Sequence, residues 1–338
     1  MIYFDLTQTG SARHRSGLTR VTSRLRDEAS GAFSPVVWNQ WTREVRSEDW
    51  FLSAELFSEE ERPGLTEWLR RRPCRFAAVF HDAIPLRFPH TTWPKSVARH
   101  PGYMKLLAEF DHVFAVSETS RQDLLSFWRW QGVVPRARVS TIALGADGLR
   151  TPRTTAPSAA PSRMLLSVGI LEPRKNQAFL LDLAEQLWVR KVDFTLVLVG
   201  RINPHFGKPL QARIRELQRR QPGRLVHLPR ADDLTLADLY RQARATLFAT
   251  VAEGCGLPVL ESLWQGVPCL CSDLLVLREN ADGGGCRVLP LDQPERWAEA
   301  VRQVLEDDGV WRSLVLGGTA RALPTWAETA RTLIATCA

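Results

Sequence analysis

Short apolar runs alternate with longer amphipathic stretches along most of the chain. This alternation predicts parallel β-strands joined by α-helices, because buried parallel strands are apolar on both faces and their crossovers are usually helical. In the first half the predicted strands are residues 1–6, 76–80, 113–116 and 138–142. The predicted helices there are residues 18–29 and 120–130, and Ser117 is the expected N-terminal cap of the second helix.

The alternation stops at Thr151–Arg163, whose sequence is TPRTTAPSAAPSR, and then restarts. The segment has no hydrophobic period and is rich in Pro, Ala, Ser and Thr, so we interpret it as a linker. Beyond it the predicted strands are residues 164–168, 194–199, 225–228, 245–249 and 268–271. The predicted helices are residues 176–189, 209–220, 236–241, 257–264, 295–305 and 325–334.

These elements predict an α/β protein of two Rossmann-like domains, and a length of 338 residues fits two domains better than one core. Ligands of such sheets bind at the carboxyl ends of the strands, so we expect the two parallel sheets to face a central cleft. The expected parts are a first domain at 1–150, a linker at 151–163, a second domain at 164–322, and a C-terminal helix at 323–338 that packs back on the first domain.

The composition is ordinary for a globular protein, with 44% hydrophobic and 24% charged residues. The sequence contains no run of about 18 apolar residues, which argues against a membrane-spanning helix. The first residues, MIYFDLTQTG, lack the layout of a signal peptide. We therefore expect a cytoplasmic protein.

The formal net charge of +7 indicates an anionic partner. No aromatic-basic motif of a nucleic-acid-binding module accompanies the charge, so we expect no nucleic acid. A phosphate-bearing substrate and an anionic membrane surface both remain open, the second implying a peripheral protein at the inner face of the membrane. The tryptophans of the first half either pack in the core or face a lipid-linked acceptor, and they are Trp38, Trp41, Trp50, Trp68 and Trp93.

The cysteines are scattered and mostly lie in apolar stretches. Cys269 and Cys271 form a C-x-C pair, but no second pair of Cys or His follows at zinc-ligand spacing. We therefore predict reduced, buried thiols and no metal site.

The sequence E-G-C-G-L-P-V-L-E runs from Glu253 to Glu261, between a predicted strand and a predicted helix. Gly254 and Gly256 allow a tight turn that brings backbone N–H groups at the helix start close to an anion. The two glutamates can each accept hydrogen bonds from neighbouring sugar hydroxyls, which suits a nucleotide sugar. The alternative is a glycine-rich turn with exposed acidic residues.

The segment S-V-G-I-L-E-P-R-K-N, from Ser167 to Asn176, also joins a predicted strand to a predicted helix. Arg174 and Lys175 in this segment are suited to hold a diphosphate with help from the helix dipole. An ordinary basic helix start is the alternative.

Both segments resemble the retaining glycosyltransferases of family GT4, which have the GT-B fold. The first resembles their E-x7-E signature, with Cys255 in place of the usual Phe. The second resembles the V-G-x-x-E-P-R-K-N segment of mannosyltransferase-like members, with Ile170 where many members have an additional Arg. The resemblance implies that Glu261 binds the ribose hydroxyls of the donor and that Glu253 lies against the donor sugar.

The same resemblance implies further donor contacts. Backbone amides around Gly256 and Leu257 would lie near the donor, and Lys175 first and Arg174 second would hold its phosphates. In the family the charge that grows on the departing diphosphate is stabilised by such cations, an electrostatic effect of the oxyanion-hole kind.

Two segments of the first half resemble the family as well. The sequence F-H-D-A-I-P resembles its H-D-x-x-P turn, which implies that His81 and Asp82 contact the donor sugar or the acceptor hydroxyl. The sequence S-G-L-T-R resembles its G-I-x-R loop, where Gly17 would let the chain approach the phosphates.

The resemblance implies transfer of a hexose from a nucleoside diphosphate sugar to a hydroxyl of a glycan or lipid-linked acceptor, with retention of anomeric configuration. It favours GDP-mannose as donor and surface polysaccharide synthesis as the process. It implies no metal and no cofactor, since the nucleotide sugar is a co-substrate. A GT-B nucleotide-sugar epimerase and a catalytically inactive nucleotide-sugar-binding protein are the alternatives. A dehydrogenase is disfavoured, because no G-x-G-x-x-G follows the first predicted strand.

Overall fold

The computed structural model describes residues 1–9, 17–29, 31–155 and 162–338. Residues 156–161 of the predicted linker and Ser16 of the predicted phosphate loop lie outside the described residues. The chain divides into two compact units. The first comprises Met1–Gly145 with Pro324–Ala338, and the second comprises Ala146–Leu323.

The first unit contains a parallel sheet whose strands are β1 (Ile2–Asp5), β2 (Phe33–Val36), β3 (Trp50–Ser53), β4 (Arg75–Phe80), β5 (His112–Ala115) and β6 (Arg138–Thr141). Their order across the sheet is β2-β1-β3-β4-β5-β6. Asp5 is in register with Ser53, and Phe80 is in register with Ala115. The carboxyl ends of these strands therefore lie along one edge of the sheet, where polar loops follow them.

The helices of the first half are α1 (Gly17–Glu28), α2 (Leu65–Arg71), α3 (Ile84–Arg87), α4 (Pro94–Leu107) and α5 (Glu118–Trp130). The Ser117 side chain accepts a hydrogen bond from the Ser120 N–H, which confirms the predicted cap of α5. The hydrophobic pattern does not predict β2, β3 or α2–α4. These elements are short or irregular, since β2 contains Pro35 and α4 contains Pro101.

Aromatic side chains fill much of the core of the first unit. The Trp68 ring contacts those of Trp38, Phe51 and Phe76, at centroid distances of 5.4, 5.4 and 4.9 Å. Trp50 is also buried, so core packing accounts for most of the tryptophans in the first half. Trp93, by contrast, is 46% exposed.

The second unit contains a parallel sheet whose strands are β7 (Met164–Val168), β8 (Thr195–Val199), β9 (Leu225–Leu228), β10 (Ala245–Phe248), β11 (Cys269–Ser272) and β12 (Cys286–Leu289). Their order is β12-β11-β10-β7-β8-β9. Strands β7 and β10 are neighbours, so the loops that follow them begin side by side. These are the two loops that carry the sequence motifs.

The helices of this unit are α6 (Gln177–Val189), α7 (Lys208–Arg220), α8 (Asp233–Gln242), α9 (Leu257–Trp264), α10 (Leu275–Ala281), α11 (Pro294–Glu306) and α12 (Asp308–Ala320). The pattern does not predict β12, α10 or α12. Strand β12 has an arginine among its four residues, and α12 contains glycines at 317 and 318, which are poor helix formers.

The first residues of the predicted linker pack on α9. The Trp264 indole donates to the Thr151 carbonyl at 2.9 Å, and the Gln265 amide donates to the Thr151 hydroxyl at 2.5 Å. The Thr154 N–H donates to the Trp264 carbonyl at 3.0 Å. The described part of this segment is therefore held against the second unit.

The last helix, α13 (Trp326–Thr336), belongs to the first unit. It begins with a capping box between Thr325 and Glu328, and its Thr329 hydroxyl donates to the Ala143 carbonyl at 2.8 Å. The two parallel sheets with their covering helices confirm the predicted α/β fold. Among the described residues, no helix combines the length and apolar character needed to cross a bilayer.

Candidate functional site

The loop between β7 and α6 carries the two cations that the sequence analysis assigns to the donor phosphates. Pro173–Lys175 form one turn of 3-10 helix, which Asn176 ends in the left-handed conformation at φ 54°. Lys175 Nζ lies 2.5 Å from Glu253 Oε1 and 4.7 Å from the ring centroid of Phe248. Lys175 is thus a nearly buried cation between a carboxylate and an aromatic face.

The neighbouring cation, Arg174, connects the loop after β7 to the loop after β10. Its guanidinium donates to the Ala252 carbonyl at 2.9 Å, to Glu253 Oε1 at 3.1 Å and to Glu172 Oε1 at 3.1 Å. Its own carbonyl accepts a hydrogen bond from the Val251 N–H at 2.8 Å. These bonds fix the two loops to each other.

Glu253 is the acceptor that both cations share. Its Oε1 also accepts a hydrogen bond from the Thr250 hydroxyl at 2.8 Å, and only 8% of its side chain is exposed. Burial acts to raise the pKa of Glu253, but the charges of Lys175 and Arg174 outweigh burial and hold the pKa below its usual range. Glu253 is therefore an anion that offsets part of the charge of the two cations.

The turn before α9 has the geometry that the sequence predicts for its glycines. Gly256 caps the helix at φ +80°, and a Cβ there would lie 2.6 Å from Leu277 Cδ2 and 3.0 Å from Asn280 Nδ2. Asn280 Nδ2 donates to the Cys255 carbonyl at 2.5 Å and holds the turn in place. Helix α9 starts at Leu257, where the first N–H groups of any helix lack intrahelical acceptors. Gly254, the other glycine of this loop, is buried.

Glu261 is buried in the middle of α9, with 1% of the residue exposed. The Tyr240 hydroxyl lies 3.4 Å from its Oε2, and a Cβ on Gly148 would lie 2.7 Å from its Oε1. The chain at Gly148 therefore lies directly against the carboxylate, and a larger residue there would require the carboxylate to shift. A ribose bound by Glu261 has to share or displace this contact, a condition that the sequence does not reveal.

Glu172 and Asn203 extend the cluster of Lys175, Arg174 and Glu253, although no role is predicted for either from the sequence. Glu172 Oε2 accepts a hydrogen bond from Asn203 Nδ2 at 3.0 Å. Asn203 is buried, and its Oδ1 accepts from the N–H groups of His205 and Phe206. Glu172 lies within the E-P-R-K-N motif, so the sequence does contain a signal for it. Asn203 is an isolated residue after β8 and gives no signal in the sequence.

In the first unit, His81 directly follows β4 and is buried. Its Nε2 lies 2.8 Å from the Ala54 carbonyl, so this nitrogen carries the proton, and its own carbonyl accepts from the Ser120 hydroxyl at 2.8 Å. Burial lowers the pKa of His81, which favours a neutral ring whose Nδ1 is an acceptor.

Asp82 is partly buried and shapes the turn into α3. Its Oδ1 accepts a hydrogen bond from the Ile84 N–H at 3.0 Å, and its carbonyl lies 2.9 Å from His100 Nε2. Burial lowers the pKa of His100, although the charge of Asp82 acts in the opposite direction. His100 therefore holds the backbone of the His81–Asp82 turn, a role that no sequence motif indicates.

Gly17 is the first residue of α1. Among the described residues, nothing lies within 4 Å of a Cβ built at this position. The described neighbours of Gly17 thus give no steric reason for a glycine, and its proposed approach to phosphates stays a prediction.

The six cysteines are free thiols, of which Cys74, Cys269, Cys271 and Cys337 are buried. Within residues 1–9, 17–29, 31–155 and 162–338, no group of three or more His, Cys, Asp or Glu side chains is arranged to hold a metal ion.

The family described as Glycosyl transferases group 1 matches residues 162–307. The serotype-specific mannosyltransferase WbdA of Escherichia coli is 32% identical over 222 residues, covering 60% of this chain and 26% of the relative. The O-antigen chain mannosyltransferase B of Escherichia coli is 28% identical over 267 residues, covering 76% of this chain and 67% of the relative. The chain thus spans about a quarter of the length of the first of these relatives.

Solved structures extend the likeness to nearly the whole chain. The Anabaena protein HepE in complex with UDP and glucose superposes with a TM-score of 0.72 at 13% identity, over 99% of this chain and 98% of that one. An α,α-trehalose-phosphate synthase from Burkholderia vietnamiensis superposes with a TM-score of 0.68 at 13% identity, over 98% of this chain and 78% of that one. These likenesses show the GT-B fold.

The resemblance inferred from the sequence motifs is thereby confirmed. Residues 162–307 match the model of the group 1 glycosyl transferases, and the chain has the GT-B fold and relatives named as mannosyltransferases.

Proposed function

We propose that the protein is a retaining glycosyltransferase that moves a hexose from a nucleoside diphosphate sugar to a hydroxyl of a glycan or lipid-linked acceptor. GDP-mannose is the donor we propose first, because the relatives reported above are named mannosyltransferases. The name of one of them, an O-antigen chain mannosyltransferase, supports a role in surface polysaccharide synthesis.

The observation that carries the proposal is the shared contact of Lys175 and Arg174 with Glu253, at distances of 2.5 and 3.1 Å. Two adjacent cations of low exposure suit a diphosphate, because phosphate oxygens accept several charge-assisted hydrogen bonds at once. The carboxylates of Glu253 and Glu172 neutralise these cations in the structure. Donor binding would then exchange carboxylate partners for phosphate partners, which avoids leaving bare charges buried in the free protein.

In the proposed reaction the bond between the anomeric carbon and the diphosphate oxygen breaks, and its electron pair leaves with the diphosphate. The acceptor oxygen forms its bond to the anomeric carbon on the same face, and its proton passes to a diphosphate oxygen. Lys175 and Arg174 stabilise the negative charge that grows on the leaving group. Glu253, once separated from the cations, is free to accept hydrogen bonds from donor sugar hydroxyls.

We assign the ribose to Glu261 and further donor contacts to the backbone at Gly254, Gly256 and Leu257. The turn at Gly256 supports this assignment, because it begins α9 only four residues after Glu253, the residue that both cations contact. The assignment of Glu261 requires that the donor displace or share the contact with Gly148.

On the first unit we assign His81 and Asp82 to the donor sugar or the acceptor hydroxyl. The neutral ring of His81 donates through Nε2 to a backbone carbonyl, which leaves Nδ1 to accept a hydrogen bond from a hydroxyl. This geometry supports a binding and orienting role for the ring.

The proposal includes neither a divalent metal nor a cofactor, since the two cations supply the charge that the leaving group needs. It also includes a peripheral position at an anionic membrane surface, which the net charge of +7 supports.

The test is a thermal-shift and calorimetric screen of UDP, GDP, dTDP and their sugars against the protein. A ligand at 100 times its Kd adds about 2.7 kcal/mol to the free energy of unfolding. We expect a nucleoside diphosphate to stabilise the protein and Lys175→Ala to reduce that stabilisation to about half or less at the same ligand concentration, while the exposed Lys208→Ala leaves it unchanged.

The products then distinguish the alternatives. Transfer with retained anomeric configuration, observed by NMR, supports the proposal. Conversion of the donor to an isomer without transfer indicates an epimerase, and binding without turnover on any acceptor indicates an inactive binding protein.

A further inference from the structure

A fully buried arginine lies at the carboxyl ends of β1 and β3, outside every motif of the sequence. The side chain of Arg62 is 0% exposed. Its Nε–H donates to Asp5 Oδ2 at 2.8 Å, and its Nη2 donates to Glu55 Oε2 at 2.7 Å. A guanidinium suits this site because its rigid fork can bind two carboxylates at once, which a lysine ammonium cannot do with the same geometry.

The two carboxylates hold the chain that follows β1. Asp5 Oδ1 accepts hydrogen bonds from the N–H and the hydroxyl of Thr7, at 3.1 and 2.6 Å. Glu55 accepts from the N–H of Gln8 at 2.8 Å and from the N–H of Thr9 at 2.6 Å. Three consecutive backbone donors are thus bound by anions whose charge the arginine balances.

The same cluster reaches the candidate histidine through the end of β3. The Ser53 hydroxyl donates to Asp5 Oδ2 at 2.8 Å, so the network holds the residues on both sides of Ala54. The Ala54 carbonyl accepts the Nε2–H of His81 at 2.8 Å and the hydroxyl of Thr22 at 3.4 Å. The direction of this carbonyl decides which ring nitrogen of His81 carries the proton.

We propose that Arg62 is a positioning residue for the site on the first unit. By binding Asp5 and Glu55 it fixes the end of β3, and the Ala54 carbonyl then orients the His81 ring and selects its tautomer. The part of this inference that concerns turnover rests on the proposed function. The part that concerns the tautomer of His81 does not.

The test uses Arg62→Lys, which keeps the charge but loses the fork, and Ser53→Ala, which keeps every charge of the network. Arg70→Lys is the control, because Arg70 is 73% exposed and pairs with Glu67 on the surface of α2. In each folded variant the ring nitrogens of His81 are observed by 15N NMR, with signals assigned by their loss in His81→Asn. Turnover and nucleotide affinity are measured on the same samples.

We expect the His81 signals of Arg62→Lys to shift from a single Nε2–H tautomer to a mixture. Turnover should fall by about 10- to 100-fold, the range expected when a group is misplaced by up to about 1 Å. Nucleotide affinity should stay within about twofold, because the nucleotide site is proposed on the other unit. Ser53→Ala should show smaller changes in the His81 signals and in turnover. If Arg62→Lys does not fold, Ser53→Ala tests whether the network positions His81.

Unchanged His81 signals in the variants, or a loss of nucleotide affinity in step with turnover, would overturn the inference. A lowered free energy of unfolding with the His81 tautomer intact would show that the arginine is merely structural. If the wild-type protein transfers no sugar, the proposed function fails, while the NMR result still decides the role of Arg62.

Discussion

The two units hold their candidate site residues in different ways. In the second unit, side chains of opposite charge contact one another at low but measurable exposure, with Lys175 at 11%, Arg174 at 20% and Glu253 at 8%. In the first unit the charge of Arg62 is fully buried and paired with Asp5 and Glu55, and the candidate residue His81 is a neutral ring held by a backbone carbonyl.

This difference separates two tasks. A cluster whose cations already have anionic partners can exchange those partners for a charged ligand, so it is suited to binding. A neutral ring fixed by a backbone carbonyl has nothing to exchange, so it is suited to orienting a hydroxyl. We therefore expect substitutions in the second unit to change affinity and turnover together, and substitutions in the first unit to change turnover alone.

The largest effect is expected from Lys175→Ala. The variant removes a cation from the leaving group and leaves Glu253 with one cationic partner, so turnover should fall by about 100- to 1000-fold. Nucleotide affinity should fall by about 10-fold or more, as for a lost hydrogen bond between charged groups. Steady-state kinetics and calorimetry, with Lys208→Ala as the surface control, measure both. Normal affinity in the folded variant would contradict the assignment.

His81→Ala should reduce turnover by about 10- to 100-fold, because the substrate hydroxyl loses its proposed acceptor and the Ala54 carbonyl loses the shorter of its two hydrogen bonds. Nucleotide affinity should remain within about threefold of wild type. The exposed His90→Ala is the matched control. If His81→Ala abolishes nucleotide binding, the separation of tasks between the units is wrong.

Glu261→Gln tests the ribose assignment against a structural role. If the carboxylate binds ribose hydroxyls, nucleoside diphosphate affinity should fall by about 10- to 100-fold. Tyr240→Phe removes the hydroxyl 3.4 Å from Glu261 Oε2 and serves as the control for loss of an internal hydrogen bond. Unchanged calorimetric affinity in a folded Glu261→Gln protein would contradict the ribose assignment and indicate a structural role for the carboxylate.

As the pH falls, the first unit should lose stability at a higher pH than the second unit. Burial lowers the pKa values of His81 and His100. The contribution of each neutral ring to the free energy of unfolding is therefore fully present above about pH 6.5, and it is lost as the pH falls below that value. The pKa of Glu253 is held low by its cations despite burial, so its contribution is present above about pH 4.3 and is lost at lower pH.

Urea unfolding between about pH 7.5 and about pH 3.5 measures this order. Each histidine can add a slope of up to about 1.4 kcal/mol per pH unit to the free energy of unfolding. His100→Asn should make the slope shallower, whereas Glu253→Gln should alter the profile only below about pH 4.3. An identical slope for wild type and His100→Asn would show that the ring is not kept neutral by folding.

The smallest effect is expected from metal removal. Because Lys175 and Arg174 are proposed to supply the positive charge, treatment with EDTA should leave turnover unchanged. Initial rates before and after chelation, and after addition of Mg²⁺ or Mn²⁺, measure this. An inactive chelated enzyme that Mg²⁺ restores would show that the two cations do not suffice.

The ease of prediction from sequence also differs between the two units. Most of the second-unit cluster comes from two contiguous motifs that each follow a predicted strand, so a parallel sheet places Lys175 and Glu253 at the same edge, whereas the pairing of β7 with β10 is seen only in the structure. The burial of Glu261 under Gly148 is not visible in the sequence, because it depends on a segment more than 100 residues earlier in the chain.

In the first unit the motif gives His81, but the residues that hold it are scattered. Ala54 contributes only a backbone carbonyl, and Arg62 looks like any other arginine of a basic chain. The hydrophobic pattern does not predict strands β2 and β3, so the place where Asp5 and Ser53 meet cannot be derived from it either. Long-range pairing decides these contacts, and one sequence does not reveal it.

The packing of α13 also bears on how the protein is made. Trp326 is fully buried, and its backbone nitrogen would lie 2.2 Å from a Cβ on Gly145, so the last helix fits closely into the first unit. During synthesis, residues 146–323 leave the ribosome before this helix does. Since domains generally fold as units while they emerge, the second unit can fold with all its residues present, whereas the first unit is complete only after residues 324–338 have emerged.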